Sequence, residues 1–443
     1  MIHKFPAHIF RKAVWATLTL SCALAAHGQV PEAAEADLIG LPELQGAQVG
    51  ICIQDLKSGQ ILYHHQDDKY FTPASNTKLA TLFTGLSILG DSTTGIRYKS
   101  SGDTLYFQGT GDPSLLHPDY TQQPVFDFLK SAAGKTLVFT QPVDENMVYG
   151  PGWAWEDYDA DYQPERSSFP LYGDVVWFKV ADGKLVSVPD IFQKRDSVFT
   201  DTSMRTNSID VRRSQYADLF YYHINTQEDT EGVQVPFMLF GGQNTVALLE
   251  DTLKAPVVFD TTDRSWTGAA SIGNIPADSL YSHMMFRSDN FFAEQVLQMS
   301  SDKEFDTIST EKIIHYMLDN KLADLPDKPA WVDGSGLSRY DLFTPRDLVA
   351  ILGKLYEGFP TQRLFRLFPT GGEGTLLHYY QNLSGKIFAK TGSLNNNASL
   401  SGYLITRKGD TLAFSILVGN YLMSGSQLRK QIEKFITMVW EEE

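Results

Sequence analysis

The sequence predicts an α/β domain split by a long, mostly β insertion. Three observations carry this. A strand hairpin and an amphipathic helix stand near the start, strands and another amphipathic helix stand at the end, and short strand-like runs with turn punctuation fill the middle. The first and last parts are expected to share one sheet.

The opening hairpin is read from Val49 to Gln54 and Gln60 to His64, joined at Lys57-Ser58-Gly59. Leu79, Leu82, Phe83 and Leu86 then recur at helical spacing, with Gly90 as the stop. Ser75 therefore falls at or near a helix N-terminus. From about Asp91 to Arg264 the pattern is strand-rich; Val175 to Val180 and Leu185 to Val188 flank Asp182-Gly183, a hairpin turn signal. Helical periodicity returns after Ile275, through Met284 to Gln298 and again at Leu348, Ile351, Leu352 and Leu355. Gly385 to Ala389, Leu400 to Thr406 and Thr411 to Val418 read as strands, the last two joined at Lys408-Gly409-Asp410. Leu428, Ile432, Phe435, Ile436 and Val439 mark a closing helix suited to core packing. The domain boundaries follow: residues 29–90 and 265–443 are expected to form the split domain, and 91–264 the insertion.

With 443 residues, 42% of them hydrophobic and 20% charged, the chain has enough apolar surface for a globular protein of about three domains, or one carrying insertions. The net charge of −16 repels phosphate backbones and anionic lipid, which excludes nucleic acid and a polybasic membrane anchor. Lys4, Arg11 and Lys12 precede an apolar run from Ala13 to Ala26 and small residues up to Gly28. Residues 1–28 are thus expected to be a secretory signal peptide, shorter in its apolar part than the roughly 20 residues a membrane-spanning helix needs. The mature chain is expected to be exported, with no transmembrane segment, to the periplasm or the cell wall. Cys22 sits in a poor context for lipidation. Of the two cysteines only Cys52 lies beyond the leader, so no intrachain disulfide is expected, and its apolar run makes it a core residue.

The chemistry is carried by Ser75-Asn76-Thr77-Lys78. Residues i and i+3 on a helix lie on one face, so the hydroxyl and the amine can meet. A serine nucleophile needs such a base, and a lysine serves when desolvation or a neighbouring cation lowers its pKa. Lys390 is expected to supply that neighbouring cation. S-x-x-K also occurs at Ser300 to Lys303 and Ser309 to Lys312, and S-x-N at both Ser288-Asp289-Asn290 and Ser393-Leu394-Asn395, so the pattern alone decides nothing. Order and context do. Ser288-Asp289-Asn290 follows the helical half, and Lys390-Thr391-Gly392 ends a predicted strand. S-x-x-K, S-D-N and K-T-G in this order mark penicillin-binding proteins and class A β-lactamases. Lys390 offers a cation, Ser288 and Asn290 a hydroxyl relay and an amide, and Gly392 lets a strand edge approach the acyl group.

At this point the chain resembles the penicillin-binding D-alanyl-D-alanine carboxypeptidases/endopeptidases of the DacB type, peptidase family S13. The resemblance also rests on Gly109-Thr110-Gly111-Asp112-Pro113, Gly152-Trp153-Ala154-Trp155-Glu156-Asp157 and Asp333-Gly334-Ser335-Gly336-Leu337-Ser338-Arg339, in family order from about residue 47 to 420. It implies a β-lactamase-like transpeptidase domain, an antiparallel sheet flanked by helices, split by the insertion. It further implies that Ser75 attacks the D-alanyl-D-alanine or cross-link amide, Lys78 takes its proton, Ser288 passes a proton to the leaving amine, and Asn290 orients Lys78 and substrate. Lys390 and Thr391 would hold the terminal carboxylate, and the N–H groups of Ser75 and Ser393 would form the oxyanion hole. Asp157 matches a position that recognises the amine of the wall diamino acid. The implied partners are peptidoglycan stem peptides, with β-lactams as covalent inhibitors. The insertion is shorter than in the larger members of the family.

No cofactor or metal is expected. Gly109-Thr110-Gly111 precedes Asp112-Pro113 instead of a phosphate-loop lysine, His64 and His65 face opposite sides of a strand, and no H-E-x-x-H, cysteine pair or G-x-S-x-G occurs. Ser335 is read as part of a tight turn supporting the site. The competing readings are a β-lactamase, for which the insertion is too long, and a non-catalytic wall-binding or penicillin-sensing module, against which all the catalytic positions are filled.

Overall fold

A computed structural model describes residues 38–262 and 264–443. The leader segment and Cys22 lie outside the described residues.

Strands β1 (Gln48–Asp55) and β2 (Ile61–His65) form the opening hairpin and lead, through a 3-10 turn at Ala74–Thr77, into the helix Lys78–Ile88. The middle begins with β3 (Ser92–Ser101), β4 (Thr104–Gly109) and β5 (Thr136–Thr140). Next come β6 (Val175–Ala181), β7 (Lys184–Val188), β8 (Val198–Thr200), β9 (Ile209–Arg213), β10 (Phe220–Ile224) and β11 (Asp229–Pro236), then β12 (Val257–Asp260) and β13 (Ala270–Pro276). The chain ends with β14 (Ile387–Leu394), β15 (Asn397–Ile405), β16 (Thr411–Gly419) and the helix Gly425–Glu442.

The two ends share a sheet, as expected: its order is β14-β15-β16-β1-β2, antiparallel throughout, with Gln48 opposite Gly419. Its central strands β1, β15 and β16 are buried on both faces, and their period of two divides the apolar residues between two cores. Cys52, Ala413 and Leu417 pack with Leu79, Leu82, Leu348 and Leu352 on one side. Ile51, Ile53, Phe414 and Ile416 meet Leu428, Ile432, Phe435, Ile436 and Val439 of the C-terminal helix on the other. Cys52 is fully buried, which pushes its thiol up to about 12. Ser424 opens the C-terminal helix with a capping box to Gln427, and Thr344 does the same with Asp347, ahead of Pro345, for the helix Pro345–Gly358.

A third core lies under the middle sheets. One sheet runs β12-β5-β4-β3-β13, and two three-stranded sheets run β11-β6-β7 and β8-β10-β9. The Asp182-Gly183 turn has positive φ at both residues, as the hairpin signal requires. β13 pairs with β3, so this sheet takes in residues beyond 264. Two local readings differ from the structure. The helical run through Met284 is broken into Ala277–Arg287 and Asn290–Phe305, because Ser288 adopts a left-handed conformation (φ 59°). Lys390-Thr391-Gly392 does not end its strand either, since β14 pairs with β15 as far as Leu394. Among the described residues no helix is long and apolar enough to cross a membrane.

Candidate active site

The Ser75 turn is built by close backbone approach. Ala74 precedes it at φ 49°, and Gly336 packs so tightly on the Ala74 carbonyl that a side chain there would overlap it. A Cβ on Gly392 would lie 3.0 Å from the Ser75 nitrogen and 2.8 Å from the Pro73 oxygen. Glycine is therefore what lets β14 reach the Ser75 turn. Two further bonds fix that contact: Asn76 Nδ2 donates to the Lys390 carbonyl at 2.9 Å, and Ser399 Oγ to the Pro73 carbonyl at 2.7 Å.

Lys78 begins the helix that follows, fully buried. Its Nζ lies 3.0 Å from Ser75 Oγ, 2.7 Å from Asn290 Oδ1 and 2.7 Å from the Ser335 carbonyl oxygen. Burial pushes this ammonium down to about 8, against the upward pull of Asp333, Asp289, Glu294 and Asp341. The cause differs in part from the sequence expectation. Burial dominates, and Lys390 is itself pushed well below the ordinary lysine value by burial and by Lys78.

The break at Ser288 serves the site. Asp289 caps the next helix by accepting from the Phe292 N–H at 2.8 Å, which sets Asn290 in its first turn. Asn290 Nδ2 donates to the Tyr162 carbonyl at 3.0 Å, leaving Oδ1 to Lys78. Ser288 Oγ accepts from Lys390 Nζ at 2.8 Å. Lys390 also donates to the Thr391 carbonyl at 2.7 Å and is fully buried.

A cavity of about 590 Å³ opens over this arrangement, lined by Ser75, Asp157, Asn290, Gly336, Arg339 and Ser393 among others. Tyr162 also lines it, its carbonyl bonded to Asn290. The structure thus brings Ser75, Lys78 and Asn290 into one bonded group and Ser288 and Lys390 into a second, joined through Asn76. Thr391 lines a smaller cavity beside Tyr380 and Ile432; Gly392 borders it, and Ser393 borders both. The duplicate motifs make other contacts: Lys303 Nζ donates to the Leu89 carbonyl and Lys312 Nζ to Glu145.

Sequence reasoning missed the acceptor role of the Ser335 carbonyl and the whole of Glu294. Glu294, one helical turn past Asn290, accepts the Gly334 and Ser335 N–H groups at 2.9 and 2.8 Å and faces Arg166 at 3.6 Å. The turn holding Lys78 is therefore hung from a buried carboxylate, whose pKa burial raises. Sequence gives little signal for it, since Glu294 shares its face with the polar Asn290, Gln298 and Ser301.

The profile of the D-Ala-D-Ala carboxypeptidase 3 (S13) family matches residues 32–440. The chain is 22% identical over 431 residues to the D-alanyl-D-alanine carboxypeptidase DacB of Haemophilus influenzae, covering 86% of this chain and 87% of that one. It is 25% identical over 430 residues to a D-alanyl-D-alanine carboxypeptidase from an Actinomadura species, covering 85% and 78%. The crystal structure of penicillin binding protein 4 (dacB) from Haemophilus influenzae superposes with a TM-score of 0.71 at 17% identity, over 92% of this chain and 98% of that one. The same protein complexed with a β-lactam gives 0.65 at 16% identity, with the same coverage. With its fold and nearly its whole length matched in this way, the chain belongs to the D-Ala-D-Ala carboxypeptidase 3 (S13) family of serine peptidases.

Proposed function

We propose that this serine D,D-peptidase hydrolyses D-alanyl-D-alanine stem-peptide ends, peptide cross-links of peptidoglycan, or both, through an acyl-serine intermediate that β-lactams trap. The observation that carries this is the 3.0 Å contact between Ser75 Oγ and Lys78 Nζ, on a buried amine whose pKa falls to about 8. A fraction of that amine is neutral near pH 7 and accepts the serine proton as Oγ bonds to the substrate carbonyl carbon. The N–H groups of Ser75 and Ser393 receive the oxyanion; the approach of Gly392 to the Ser75 nitrogen supports that pairing.

The amide C–N bond then breaks, and the leaving amine takes a proton from Ser288 Oγ, which Lys390 Nζ replenishes at 2.8 Å. Asn290 holds Lys78 by Oδ1. Lys78 releases the serine proton to solvent and, neutral again, takes a proton from the water that attacks the ester; as the ester C–O bond breaks Lys78 returns that proton to Ser75 Oγ, and Lys390 regains from solvent the one it gave. Lys390, with Thr391, receives the terminal carboxylate, and an arriving anion returns Lys390 to its charged form by opposing the burial that depresses it. Asp157, on the cavity wall, receives the side-chain amine of the stem peptide. The catalytic part comprises residues 29–90 and the C-terminal segment from about 277 rather than 265, because β13 belongs to the middle sheet. Residues 1–28 direct export to the periplasm or the cell wall, where this substrate lies.

The test is intact-mass spectrometry of the mature protein after incubation with benzylpenicillin, beside Ser75→Ala. The expected result is one penicilloyl adduct, mapped to Ser75 and absent from the variant, with D-alanine or cross-link release by wild type alone. Rapid hydrolysis of the antibiotic without stem-peptide turnover would make it a β-lactamase. A folded protein with neither adduct nor turnover would leave a wall-binding module.

A further inference from the structure

The loop after β4 meets the helix Ala277–Arg287 just before the Ser288–Asn290 turn. His117 and Asp119 come from the loop and His283 from the helix, and one ligand atom of each lies within 4.8 Å of the other two. His283 Nδ1 is 3.3 Å from Asp119 Oδ2, and His117 Nδ1 is 3.8 Å from the same oxygen. Tetrahedral zinc with ligands at about 2.0–2.1 Å has ligand–ligand edges of about 3.3 Å, so both separations are near those of a formed site.

The His283 ring stands between two carboxylates: Nδ1 faces Asp119, and Nε2 lies 3.1 Å from Asp289 Oδ2. A neutral imidazole has one N–H. Given to Asp289, it turns the Nδ1 lone pair toward Asp119 Oδ2, the side on which a cation would bind. A carboxylate bonded to the far nitrogen is also the arrangement that orients metal-bound histidines. Asp289 is itself anchored through the Phe292 N–H. His117 Nδ1 accepts a long contact from the Asp119 N–H at 3.3 Å, which an incoming ion would have to displace.

The walls are rigid and aromatic. The His283 ring stacks on Phe292 at 4.1 Å, and His117 stands edge-on to Phe292 at 5.2 Å and to Trp177 at 6.1 Å. The two histidine side chains are 7% and 6% exposed, whereas Asp119, at 28%, leaves an entry path. Arg287 Nη1 donates to the same Asp119 Oδ2 at 2.5 Å, so an ion must share this carboxylate with the guanidinium.

We propose that His117, Asp119 and His283 form a three-ligand site for a divalent cation of the zinc type, with a fourth position open to water. The ion ties the loop to the helix that ends at Ser288, and so holds the Ser288–Asn290 turn from behind; it takes no part in the acyl-serine steps. No contiguous motif announces it, since two ligands come from the insertion and the third from the helix that follows it.

The test is calorimetric titration of chelator-treated full-length protein with zinc chloride, and separately with magnesium chloride. Wild type is expected to bind one zinc per chain and to prefer it to magnesium by at least tenfold. His117→Ala and His283→Ala are expected to lose that binding while still forming the benzylpenicillin adduct; a His64→Ala/His65→Ala control is expected to keep it. X-ray absorption of zinc-loaded wild type does not depend on any variant folding, and is expected to show two imidazole nitrogens and oxygen donors at about 2.0–2.1 Å. The proposal is overturned by absence of stoichiometric uptake. Uptake undiminished in folded His117→Ala, or a shell with fewer than two imidazoles, would equally overturn it, as adventitious binding.

Discussion

The Lys78 amine donates to the Ser335 carbonyl at 2.7 Å while standing 3.0 Å from Ser75 Oγ. A backbone carbonyl cannot take up a proton, so this contact fixes the amine in place without competing for its role as base. What sets the protonation of Lys78 is burial against the surrounding acids, and the net result lies near pH 8.

The acylation rate should therefore follow deprotonation of Lys78. Below about pH 8 the amine is charged and cannot accept the serine proton; above it the amine is neutral. The second-order rate of benzylpenicillin acylation is expected to rise about tenfold per pH unit up to an inflection near 8, then level. A profile flat from pH 6 to 9 would contradict Lys78 as base. Lys78→Arg, which stays charged, is expected to lose about 10²- to 10⁴-fold at every pH.

Glu294→Gln keeps an acceptor for the Gly334 and Ser335 N–H groups but removes a negative charge that favours protonated Lys78. The inflection is expected to move to lower pH, by up to about one unit. Arg166 then faces a neutral partner, and urea unfolding should show stability lower by about 3 kcal/mol. An unchanged inflection would remove Glu294 from the control of Lys78.

Gly392→Ala places a methyl group against the Pro73 carbonyl and the Ser75 nitrogen. The strand must withdraw from the Ser75 turn, and acylation is expected to fall about 10²-fold, with circular dichroism unchanged. Acylation at the wild-type rate would show that β14 does not form part of the oxyanion site.

Asp157→Asn should separate two substrates. For stem peptides with a free side-chain amine, kcat/KM is expected to fall about 10- to 100-fold, the worth of a charge-assisted hydrogen bond. Peptides whose side chain lacks the amine should be cleaved as before. Equal losses on both would make Asp157 a structural part of the cavity wall it shares with Tyr162.

These positions differ in how far sequence reveals them. Ser75 and Lys78 are visible because three residues on a helix make one contact, and Lys390 to Gly392 because a strand needs its glycine in a fixed phase. The sharing of one sheet by the two chain ends is likewise legible, from strand runs whose edges lack partners nearby. Asn76 is different: it stands inside the motif, yet its bond to the Lys390 carbonyl depends on a strand made far later, and a backbone acceptor leaves no side-chain signature. The Ser335 carbonyl is hidden for the same reason. The Ser288 break escaped because hydrophobic periodicity carries on across it, whereas the chain direction there is set by a single left-handed residue. The histidines of the loop and helix have no common spacing at all.

The sheet order also dictates when the molecule can work. β1 is made early, yet one of its two neighbours is β16, and pairing Gln48 with Gly419 closes a loop of nearly the whole chain. Contacts this distant form slowly and late. Until β16 exists, β14 and β15 have no strand to join them to β1, and only the Asn76 and Ser399 bonds to the Ser75 turn hold the lysine of K-T-G near the serine. Hydrolytic competence thus arrives only with the last strand and helix, and a growing chain carries its nucleophile harmlessly through almost the whole of its synthesis.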